Sequence, residues 1–284
     1  MTVDFRFDGC VAVVTGSARG IGASIARSLA DAGSTVVVTD IDVDEAENVA
    51  VAIRNAGGAA VAIQVDVSSR GAMMELADVV YSKFGKVDIL CNNAGVTIRP
   101  FRAVWEASME DFDWIMRVNY FGVVNGLAAF LPRMLGRPGH RHIVNTSSMV
   151  NMFDVHGHAM YASSKAAIDA LSDALRSELV DHGEDIGVTV LLPGPVRTEI
   201  AERSEELRPS ADRSDNRHIN EYPIPNVDLT DAPHAIDPDQ VGPMLLAALR
   251  ANAPYCLTHP VDRIRLETRV DALVAGYGFH NART

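Results

Sequence analysis

Short apolar runs of strand length alternate along this chain with longer stretches of helical period. The run at 10–15 (CVAVVT) precedes one helical pattern, and the run at 34–40 (STVVVTD) precedes another that ends in a glycine pair. Five further runs continue the alternation, at 59–66, 87–95, 141–148, 187–195 and 255–259. Near-continuous Val, Ile and Ala runs are typical of parallel strands that helices cover on both faces. The pattern predicts an α/β fold with a doubly wound, seven-stranded parallel sheet.

A glycine-rich turn, TGSARGIG at 15–22, joins the first predicted strand to the first predicted helix. Gly16 permits a sharp turn, Gly20 lets the backbone approach a pyrophosphate, and Gly22 allows close contact between helix and sheet. The start of the helix offers unpaired N–H groups and a positive dipole end to phosphates. Although the spacing departs from the standard G-x-G-x-x-G fingerprint, the context predicts a dinucleotide-binding turn.

An acidic residue, Asp40, closes the second predicted strand. A carboxylate there can accept both hydroxyls of an adenosine ribose, and it repels a 2′-phosphate. An acid at this point can also cap the following helix, a role that Asp42 can fill as well. Arg19 in the glycine turn is able to pair with a 2′-phosphate instead. Because Asp40 stands directly against the 2′ position, NAD is favoured over NADP.

One helical stretch of small residues, at 158–179, places Tyr161 and Lys165 one turn apart. This spacing puts both side chains on one face of the helix. A free tyrosine, with a pKa of about 10, is a poor base at neutral pH. A neighbouring ammonium and a positively charged nicotinamide both favour the phenolate and lower that pKa. The alternative is a surface helix with an incidental lysine.

Several motifs occur in a fixed order along the chain. They are TGSARGIG at 15–22, DV at 66–67, NNAG at 92–95, VNYFG at 118–122, NTSS at 145–148, YASSK at 161–165 and PGPVRTE at 193–199. With them the chain resembles the short-chain dehydrogenase/reductase family, from about Phe7 to Ile200 and more loosely to the C-terminus. The resemblance implies a Rossmann-type fold and a nicotinamide-dependent oxidoreductase.

The resemblance also implies a role for each of four catalytic residues. Tyr161 is the general acid/base, and Lys165 is its partner. Ser148, thirteen residues before Tyr161, holds the substrate oxygen in an oxyanion-type role; its spacing matches the family better than that of Ser147. Asn119 positions a water beside Lys165.

Cofactor contacts follow from the same resemblance. They are Gly16, Ser17, Arg19, Gly20, Ile21, Gly22, Asp40, Ile41, Asp66, Val67, Asn93, Gly95, Tyr161, Lys165, Pro193, Gly194, Val196 and Thr198. Of these, Asp66 and Val67 flank the adenine, Asn93 lines the cleft, and Val196 and Thr198 hold the nicotinamide carboxamide.

On the substrate side, the residues that follow Ser148 are mostly apolar. We expect Ser148, Val150, Phe153 and Tyr161 to contact the substrate. The sequence thus predicts an NAD-dependent oxidoreductase that interconverts a hydrophobic secondary alcohol and its ketone. Alternatives are an NADPH-dependent carbonyl reductase, a dehydratase or epimerase with tightly held NAD, and a non-redox NAD-binding regulatory protein. The intact Ser/Tyr/Lys set argues against the last of these.

Composition excludes several other classes. The net charge is −12 and no dense Lys/Arg run occurs, so nucleic acid is not an expected partner. No apolar run approaches the about 20 residues of a membrane span, and the N-terminus does not resemble a secretory signal. Three scattered cysteines, Cys10, Cys91 and Cys256, indicate buried thiols in a reducing compartment, so we expect a cytoplasmic protein. His156 and His158 are too few ligands for a metal site, and none is expected.

The rest of the chain divides into a long helix, a polar loop and a C-terminal extension. A helical pattern runs from about Met109 to Met134, and Trp105, Phe112, Trp114 and Phe121 are expected to pack around it or in an interface. The segment 202–239 is polar, holds five prolines and predicts a substrate-side loop or lid. A strand and a helix follow within 254–284. We expect one domain over 1–284 and a homo-oligomer, a tetramer or a dimer, as the resemblance implies.

Overall fold

Parallel strands form one sheet at the centre of the molecule. The computed structural model describes residues 5–99, 101–153, 155–209, 234–261 and 263–278. The strands are β1 Val11–Thr15, β2 Thr35–Asp40, β3 Ala59–Gln64, β4 Ile89–Asn92, β5 Arg141–Thr146, β6 Ile186–Leu192 and β7 Tyr255–Leu257. Within the described residues these seven strands pair in the order β3-β2-β1-β4-β5-β6-β7, every pair parallel. The predicted seven-stranded, doubly wound sheet is confirmed.

Helices connect the strands and cover both faces of the sheet. They are α1 Gly20–Asp31, α2 Val43–Asn55, α3 Arg70–Phe84, α4 Met109–Ile115, α5 Gly122–Met134, α6 Ala159–Asp181, α7 Ile200–Leu207, α8 Val241–Arg250 and α9 Arg263–Gly278. Along β1, Ala12 and Val14 join an apolar layer with α1, α2 and α8, whereas Val11 and Val13 join the layer of α3, α5 and α6. This alternation is the period of two that a strand imposes on its side chains.

The strand order reverses between β1 and β4. Chain connections leave β1 toward β2 on one side and run from β4 toward β7 on the other. In open α/β sheets, a crevice at such a switch point, outside the carboxyl ends of the strands, is the usual ligand site. The glycine turn follows β1, and Asn93 and Gly95 follow β4, so both motifs meet at this crevice.

A π-helical turn, Met116–Phe121, joins α4 to α5. The three segments together occupy the long helical stretch that the sequence predicts from about Met109 to Met134. A π-helical turn widens the helix locally and is frequent at functional sites. Here it carries Asn119, which is fully buried.

The predicted polar loop at 202–239 begins later than the sequence suggests. Helix α7 continues to Leu207, and the stretch 210–233 lies outside the described residues. The sequence pattern does not reveal α7 because the helix has no sustained apolar stripe and one buried side chain, Ser204. Polar contacts hold it instead: the Ser204 hydroxyl accepts a hydrogen bond from Thr97 N at 2.9 Å.

The four aromatic residues near the long helix fall into two groups. Trp114 is buried and Phe112 packs against the same small cluster. By contrast, Trp105 is 71 % exposed and Phe121 is 48 % exposed. The expectation that Trp105 and Phe121 pack around the long helix is therefore wrong within one chain, and the alternative, an interface, stays a prediction. None of the described helices has the length and apolar character that a membrane crossing requires.

Candidate active site

The glycine turn after β1 packs so tightly that side chains are sterically excluded. A Cβ on Gly22 would lie 2.1 Å from the carbonyl oxygen of Gly16. Gly16 itself has φ +62, and a Cβ there would lie 2.6 Å from the Cα of Ala94. Gly20 has φ +53 and faces Thr198, whose Cγ2 would be 3.2 Å from a Cβ. Steric overlap with the backbone therefore requires glycine at positions 16 and 22.

The first turn of α1 presents unpaired backbone donors to the crevice. No side chain caps this helix. Among the described residues, the N–H groups of Gly20, Ile21 and Gly22 have no hydrogen-bond partner. Ser17 beside them is buried, and its hydroxyl donates to Val14 O at 2.7 Å. Free donors at a helix N-terminus favour an anion, so a pyrophosphate fits this turn.

Asp40 at the end of β2 is tied to the glycine turn. Its Oδ2 accepts a hydrogen bond from Ala18 N at 3.1 Å, and its Oδ1 accepts one from Asp42 N at 3.2 Å. Asp42, not Asp40, caps α2, because its Oδ1 accepts from Glu45 N. The alternative of Asp40 as a helix cap is thereby removed. Ile41 between them is exposed.

Arg19 is already engaged by two carboxylates. Its guanidinium lies 2.8 Å from Asp42 Oδ2 and 3.4 Å from Glu199 Oε2. Arg203 of α7 reaches the same Asp42 oxygen at 2.9 Å. These pairs connect the turn, the corner after β2 and the start of α7. Asp40 lies in the same corner without an ion pair among the described residues, which leaves its carboxylate for hydrogen-bond donors.

Two residues after β3 were predicted to flank an adenine. Asp66 is exposed, and its Oδ1 accepts from Ser68 N at 2.9 Å. Val67 is buried against Gly122, where a Cβ would lie 2.9 Å from the valine Cγ2. Its carbonyl accepts from Asn125 Nδ2 at 2.8 Å. This packing fixes the segment against the start of α5.

Asn93 joins three strand ends. Its side-chain amide donates to the carbonyl oxygens of Thr15 and Gly16, each at 3.0 Å, and its Oδ1 accepts from the Thr146 hydroxyl at 3.3 Å. The ends of β1, β4 and β5 are thereby held in register at the crevice. Gly95, two residues on, faces Lys165, since a Cβ there would lie 3.4 Å from Nζ.

The segment after β6 closes the crevice from the other side. Pro193 O accepts from Met149 N at 2.9 Å, and Gly194 N donates to Thr258 Oγ1 at 3.0 Å. Val196 is buried in the core, so only its backbone is placed to hold a ligand. Thr198 lies against Gly20 of the turn. The sequence motif thus crosses from the core to the cofactor cleft within six residues, 193–198.

Tyr161 and Lys165 lie together on α6, as the spacing predicts. Lys165 is buried, its Nζ is 5.6 Å from the centre of the Tyr161 ring, and it donates to Thr146 O at 2.8 Å. Burial lowers the pKa of Lys165 to about 8, although the charge of Asp169 raises it in part. An ammonium with this pKa stays largely protonated at neutral pH.

The protein alone does not lower the pKa of Tyr161. Burial raises that pKa to about 12, and a hydrogen bond with Ser148 lowers it in part. The expected fall of this pKa involves Lys165 together with a bound, positively charged nicotinamide, and it stays a prediction. Ser148 also accepts from Val150 N at 3.2 Å and lies 3.5 Å from Pro193 O. Ser148, Tyr161 and Lys165 are thus brought together.

Asn119 is positioned by backbone contacts rather than by a catalytic neighbour. Its Oδ1 accepts from Val96 N at 2.8 Å, and its Nδ2 donates to Val96 O and to the Ser164 hydroxyl, each at 3.0 Å. It also lies close to Gly95, where a Cβ would be 3.3 Å from Oδ1. Asn119 therefore fixes the loop after β4 against α6, next to Lys165.

A carboxylate one turn beyond Lys165 escapes the sequence analysis. Asp169 is half-buried, and its Oδ2 accepts from Asn151 Nδ2 at 2.8 Å. Burial raises the pKa of Asp169, while hydrogen bonds from Ser147 and Asn151 lower it. The i to i+4 spacing from Lys165 is visible in the sequence and is the signal that could have found it. The negative charge of Asp169 therefore acts on the Lys165 ammonium and raises its pKa.

A small pocket opens beside Tyr161, on the side of the loop after β4. It is lined by Thr97, Ile98, Phe101, Arg102, Ile115, Gly157, His158, Met160 and Tyr161. Of the four predicted substrate contacts, Tyr161 alone lines it. Phe153 instead packs against Met149 and Leu192, and Val150 lies in the short helical turn 149–152. The sequence does not predict the side of the pocket formed by Thr97, Ile98, Phe101 and Arg102, because these residues follow no periodic pattern.

His158 is a wall of this pocket, and His156 is exposed. The His158 ring stacks on Phe101 with ring centres 3.8 Å apart. Burial lowers the pKa of His158, and the Arg99 charge lowers it further. His158 is therefore neutral near pH 7. No group of three or more His, Cys, Asp or Glu side chains with metal-binding geometry occurs among the described residues.

Comparisons with known proteins identify the family. The model of the short chain dehydrogenase family matches residues 10–208. The C alpha-dehydrogenase of Sphingobium sp. is 33 % identical over 271 residues, which cover 94 % of this chain and 86 % of that protein. The chain belongs to the short-chain dehydrogenase/reductase family, and its neighbours in the family bind NAD or NADP.

Solved structures show the same fold. A short chain dehydrogenase/reductase from Burkholderia phymatum in complex with NAD superposes with a TM-score of 0.88, at 31 % identity and over 96 % of both chains. A metagenomic short-chain oxidoreductase in complex with NADP superposes with a TM-score of 0.68, at 30 % identity and over 89 % of this chain and 98 % of the other. The Rossmann-type fold and the oxidoreductase class are therefore established.

Proposed function

We propose that this protein is an NAD-dependent oxidoreductase that interconverts a hydrophobic secondary alcohol and its ketone. The observation that carries the proposal is the cluster of Ser148, Tyr161 and Lys165 beside an apolar-walled pocket, at the crevice that also holds the glycine turn. The Sphingobium relative is a dehydrogenase by name. The proposal assigns this chain the same type of reaction.

The protein's part in the reaction is to bind the alcohol and to move one proton. A nicotinamide, when bound, would supply the hydride acceptor and a positive charge. Ser148 donates a hydrogen bond to the substrate oxygen, and Tyr161 Oη takes the hydroxyl proton as the carbonyl forms. Lys165, largely protonated, stabilises the phenolate. In the reverse direction the neutral phenol returns that proton to the developing alkoxide.

The high pKa of Tyr161 in the protein alone suits this scheme. Burial raises the pKa of Tyr161 to about 12 and thereby keeps the phenol neutral near pH 7. A proton is therefore available for ketone reduction over the whole neutral range. Lys165 would act on the phenolate together with the positive charge of an oxidised nicotinamide, if one were bound, because charges interact strongly in a desolvated site.

Asp40 supports NAD over NADP. Its carboxylate lies beside the glycine turn and forms no ion pair within the described part of the chain, whereas Arg19 is held by Asp42 and Glu199. A 2′-phosphate would meet the Asp40 charge and would have to displace Asp42 from Arg19. The NAD complex of the Burkholderia relative agrees with this choice, while the NADP complex of the metagenomic relative makes NADPH-dependent carbonyl reduction the second candidate.

The test measures nicotinamide absorbance with purified protein, NAD or NADP, and secondary alcohols from small aliphatic to cyclic, aryl and steroid compounds. We expect NAD to be reduced by a subset of apolar alcohols, with NADP far less effective. The matched variant is Asp40→Asn, which removes the charge but keeps an oxygen for Ala18 N. It should shift the NAD/NADP preference toward NADP by about tenfold, as the removal of one unfavourable charge contact predicts.

Other outcomes would redirect the proposal. Bound NAD without net turnover, but with water loss or inversion at a substrate carbon, would indicate a dehydratase or epimerase. Bound NAD with no chemistry on any substrate would indicate a regulatory protein. Equal use of both cofactors by the unmodified protein would contradict the role of Asp40.

Three further features belong to the proposal. We infer a single domain over 1–284, in which β7 completes the sheet. Most of the segment 202–239, which the sequence predicts to be a substrate-side loop or lid, lies outside the described residues. We infer a homo-oligomer, a tetramer or a dimer, supported by exposed Trp105 and Phe121; light scattering measures its mass directly. The buried thiols at positions 10, 91 and 256 support a reducing, cytoplasmic location.

A further inference from the structure

The pocket beside Tyr161 combines apolar walls with one buried cation. Ile98, Ile115 and Met160 provide aliphatic surface, and all three are buried. Arg102 lines the same pocket and is 8 % exposed. An arginine so deeply buried is rare unless a partner accompanies it. The burial of Arg102 therefore needs a physical explanation.

The Arg102 guanidinium has no partner in the part of the chain that the structure describes. No hydrogen bond or ion pair reaches it, and its Nε is a buried donor without an acceptor. Removal of a cation from water without compensation is strongly unfavourable. A buried donor left unsatisfied in a pocket is also the arrangement by which a site rejects ligands that lack the matching acceptor.

A second buried arginine shows what a compensated site looks like in the same region. Arg208, at the end of α7, forms a two-pronged ion pair with Asp111 of α4: its Nε lies 2.7 Å from Oδ1, and its Nη2 contacts Oδ2. Asp111 is therefore satisfied by Arg208 and is no counterion for Arg102. Among the described residues, a carboxylate accompanies Arg208 and none accompanies Arg102.

The other ionisable groups around the pocket do not neutralise Arg102. His158 faces the pocket as a neutral ring and Tyr161 as a neutral phenol, since burial disfavours both charged forms. Arg102 is thus the charged side chain in the lining of the pocket, although the whole chain carries −12. A cation in such a pocket favours an anion.

We propose that Arg102 binds a carboxylate carried by the substrate, so that the substrate is an apolar alcohol or ketone with an acid group. This inference rests on the proposed function, because Tyr161 lines the same pocket and defines which carbon reacts. A guanidinium matches a carboxylate through two parallel hydrogen bonds. One arginine in a small pocket fits a singly charged, planar carboxylate better than a phosphate monoester with its larger charge. Arg102 is thus a specificity-determining residue.

The test compares acids with neutral isosteres in the same enzyme. The probes are aryl methyl carbinols with a carboxylate at the meta or para position, their primary amides, and the corresponding phosphate monoesters. The measured quantity is the ratio of kcat/KM for an acid to that for its amide. We expect this ratio to exceed ten in the unmodified protein for at least one positional isomer, since charge-assisted pairs are the strong ones.

Variants of Arg102 make the comparison specific. Arg102→Met, which keeps the length but removes the charge, should lower the acid/amide ratio at least tenfold, and Arg102→Lys should retain part of it. Arg117→Met is the control, because Arg117 is exposed on the neighbouring π-helical turn; it should leave the ratio unchanged. An unchanged ratio in Arg102→Met would overturn the proposal, as would a preference for the phosphates over the carboxylates.

Binding keeps the test independent of turnover. The keto acids and keto amides are titrated against the protein with NADH, and the shift in melting temperature is recorded for each variant. A keto acid that stabilises the unmodified protein but not Arg102→Met supports the proposal even if no alcohol is oxidised, in which case the proposed function alone fails. Turnover of neutral alcohols with no preference for acids in rate or binding would leave the proposed function intact and remove the role of Arg102.

Discussion

The two sides of the cleft are built from different groups. On the cofactor side the decisive contacts are backbone and glycine, as at Gly16 and Gly22, where a single Cβ would overlap a neighbour. On the substrate side they are buried charged side chains, among them Lys165, Arg102 and Arg208. Sterics restrict the first side to a few residue types, whereas buried charges persist on the second only where a partner or a function offsets their desolvation. The cofactor side is therefore local in sequence, and the substrate side depends on distant contacts.

The largest expected effect is on the proton-transfer group of the substrate side. Tyr161→Phe removes the phenolic hydroxyl and should lower kcat by a factor of about 10³, because a positioned acid/base contributes about that much. NAD binding should change little, since the cofactor side keeps its backbone contacts. Initial rates with the best alcohol, together with a calorimetric Kd for NAD, check both parts.

The control for this variant is Tyr255→Phe. Tyr255 lies on the surface, where its hydroxyl donates to Asp173 Oδ1 at 2.7 Å, far along the sheet from the crevice. Its replacement should leave kcat within a factor of about two. If the Tyr161→Phe variant kept most of its turnover, another group would carry the proton, and the assignment of Tyr161 as the general acid/base would be wrong.

Next in size is the loss of the buried ion pair between α4 and α7. Asp111→Asn removes the two-pronged carboxylate partner of the buried Arg208 and leaves the more distant, exposed Glu205 at 3.8 Å. It should lower the free energy of unfolding by about 3–5 kcal/mol. The comparison within the substrate side is Arg102→Met, which removes a cation that already has no partner in the described residues. That variant should unfold at the same or a higher denaturant concentration. Equal destabilisation by both would contradict the contrast between the two arginines.

A smaller effect is expected from a methyl group on the cofactor side. Gly22→Ala places a Cβ 2.1 Å from Gly16 O, so the turn must shift, and the affinity for NAD should fall by about 10- to 100-fold, the equivalent of the about 1–3 kcal/mol that overpacking costs. Gly71→Ala in α3 is the matched control, because the nearest atom to its Cβ is 4.0 Å away. It should bind NAD normally and gain about 0.5–1 kcal/mol of stability. Titration calorimetry of both variants measures the difference.

The difference between the cofactor side and the substrate side of the cleft also explains which parts of the structure the sequence predicts. The glycine turn and Asp40 are short-range patterns at strand ends, the Tyr161–Lys165 pair is a short-range pattern on α6, and the sheet that places them follows from the alternation of apolar runs. For these elements local sequence and final structure agree, because backbone geometry alone brings them to the switch point. The family resemblance added roles for Ser148 and Asn119 that spacing does not give.

The substrate side was harder to predict because its partners are far apart in the sequence. The Asp111–Arg208 pair spans 97 positions, and α7 was taken for a loop because it packs through polar contacts. Phe153 was placed at the substrate, yet it packs against Met149 and Leu192. Desolvation raises the pKa of Tyr161 in the chain by itself, and it depends on three-dimensional burial that the sequence does not show. Such properties appear only when distant side chains are brought together.

The smallest expected effect concerns the carboxylate beneath Lys165. Asp169→Asn removes a negative charge that raises the pKa of Lys165, so that pKa should fall below its present value of about 8. If activity needs the ammonium form, the rate must decline as the pH rises through this pKa, and the decline should begin at lower pH in the variant. At pH 7.5 a fall of up to one pKa unit should lower the rate by up to about threefold. A kcat profile from pH 6 to 10 for both proteins tests this, with melting temperatures to show that each stays folded. A profile that does not move would mean that Asp169 only holds Asn151, and that Lys165 is the one functional charge on this helix face.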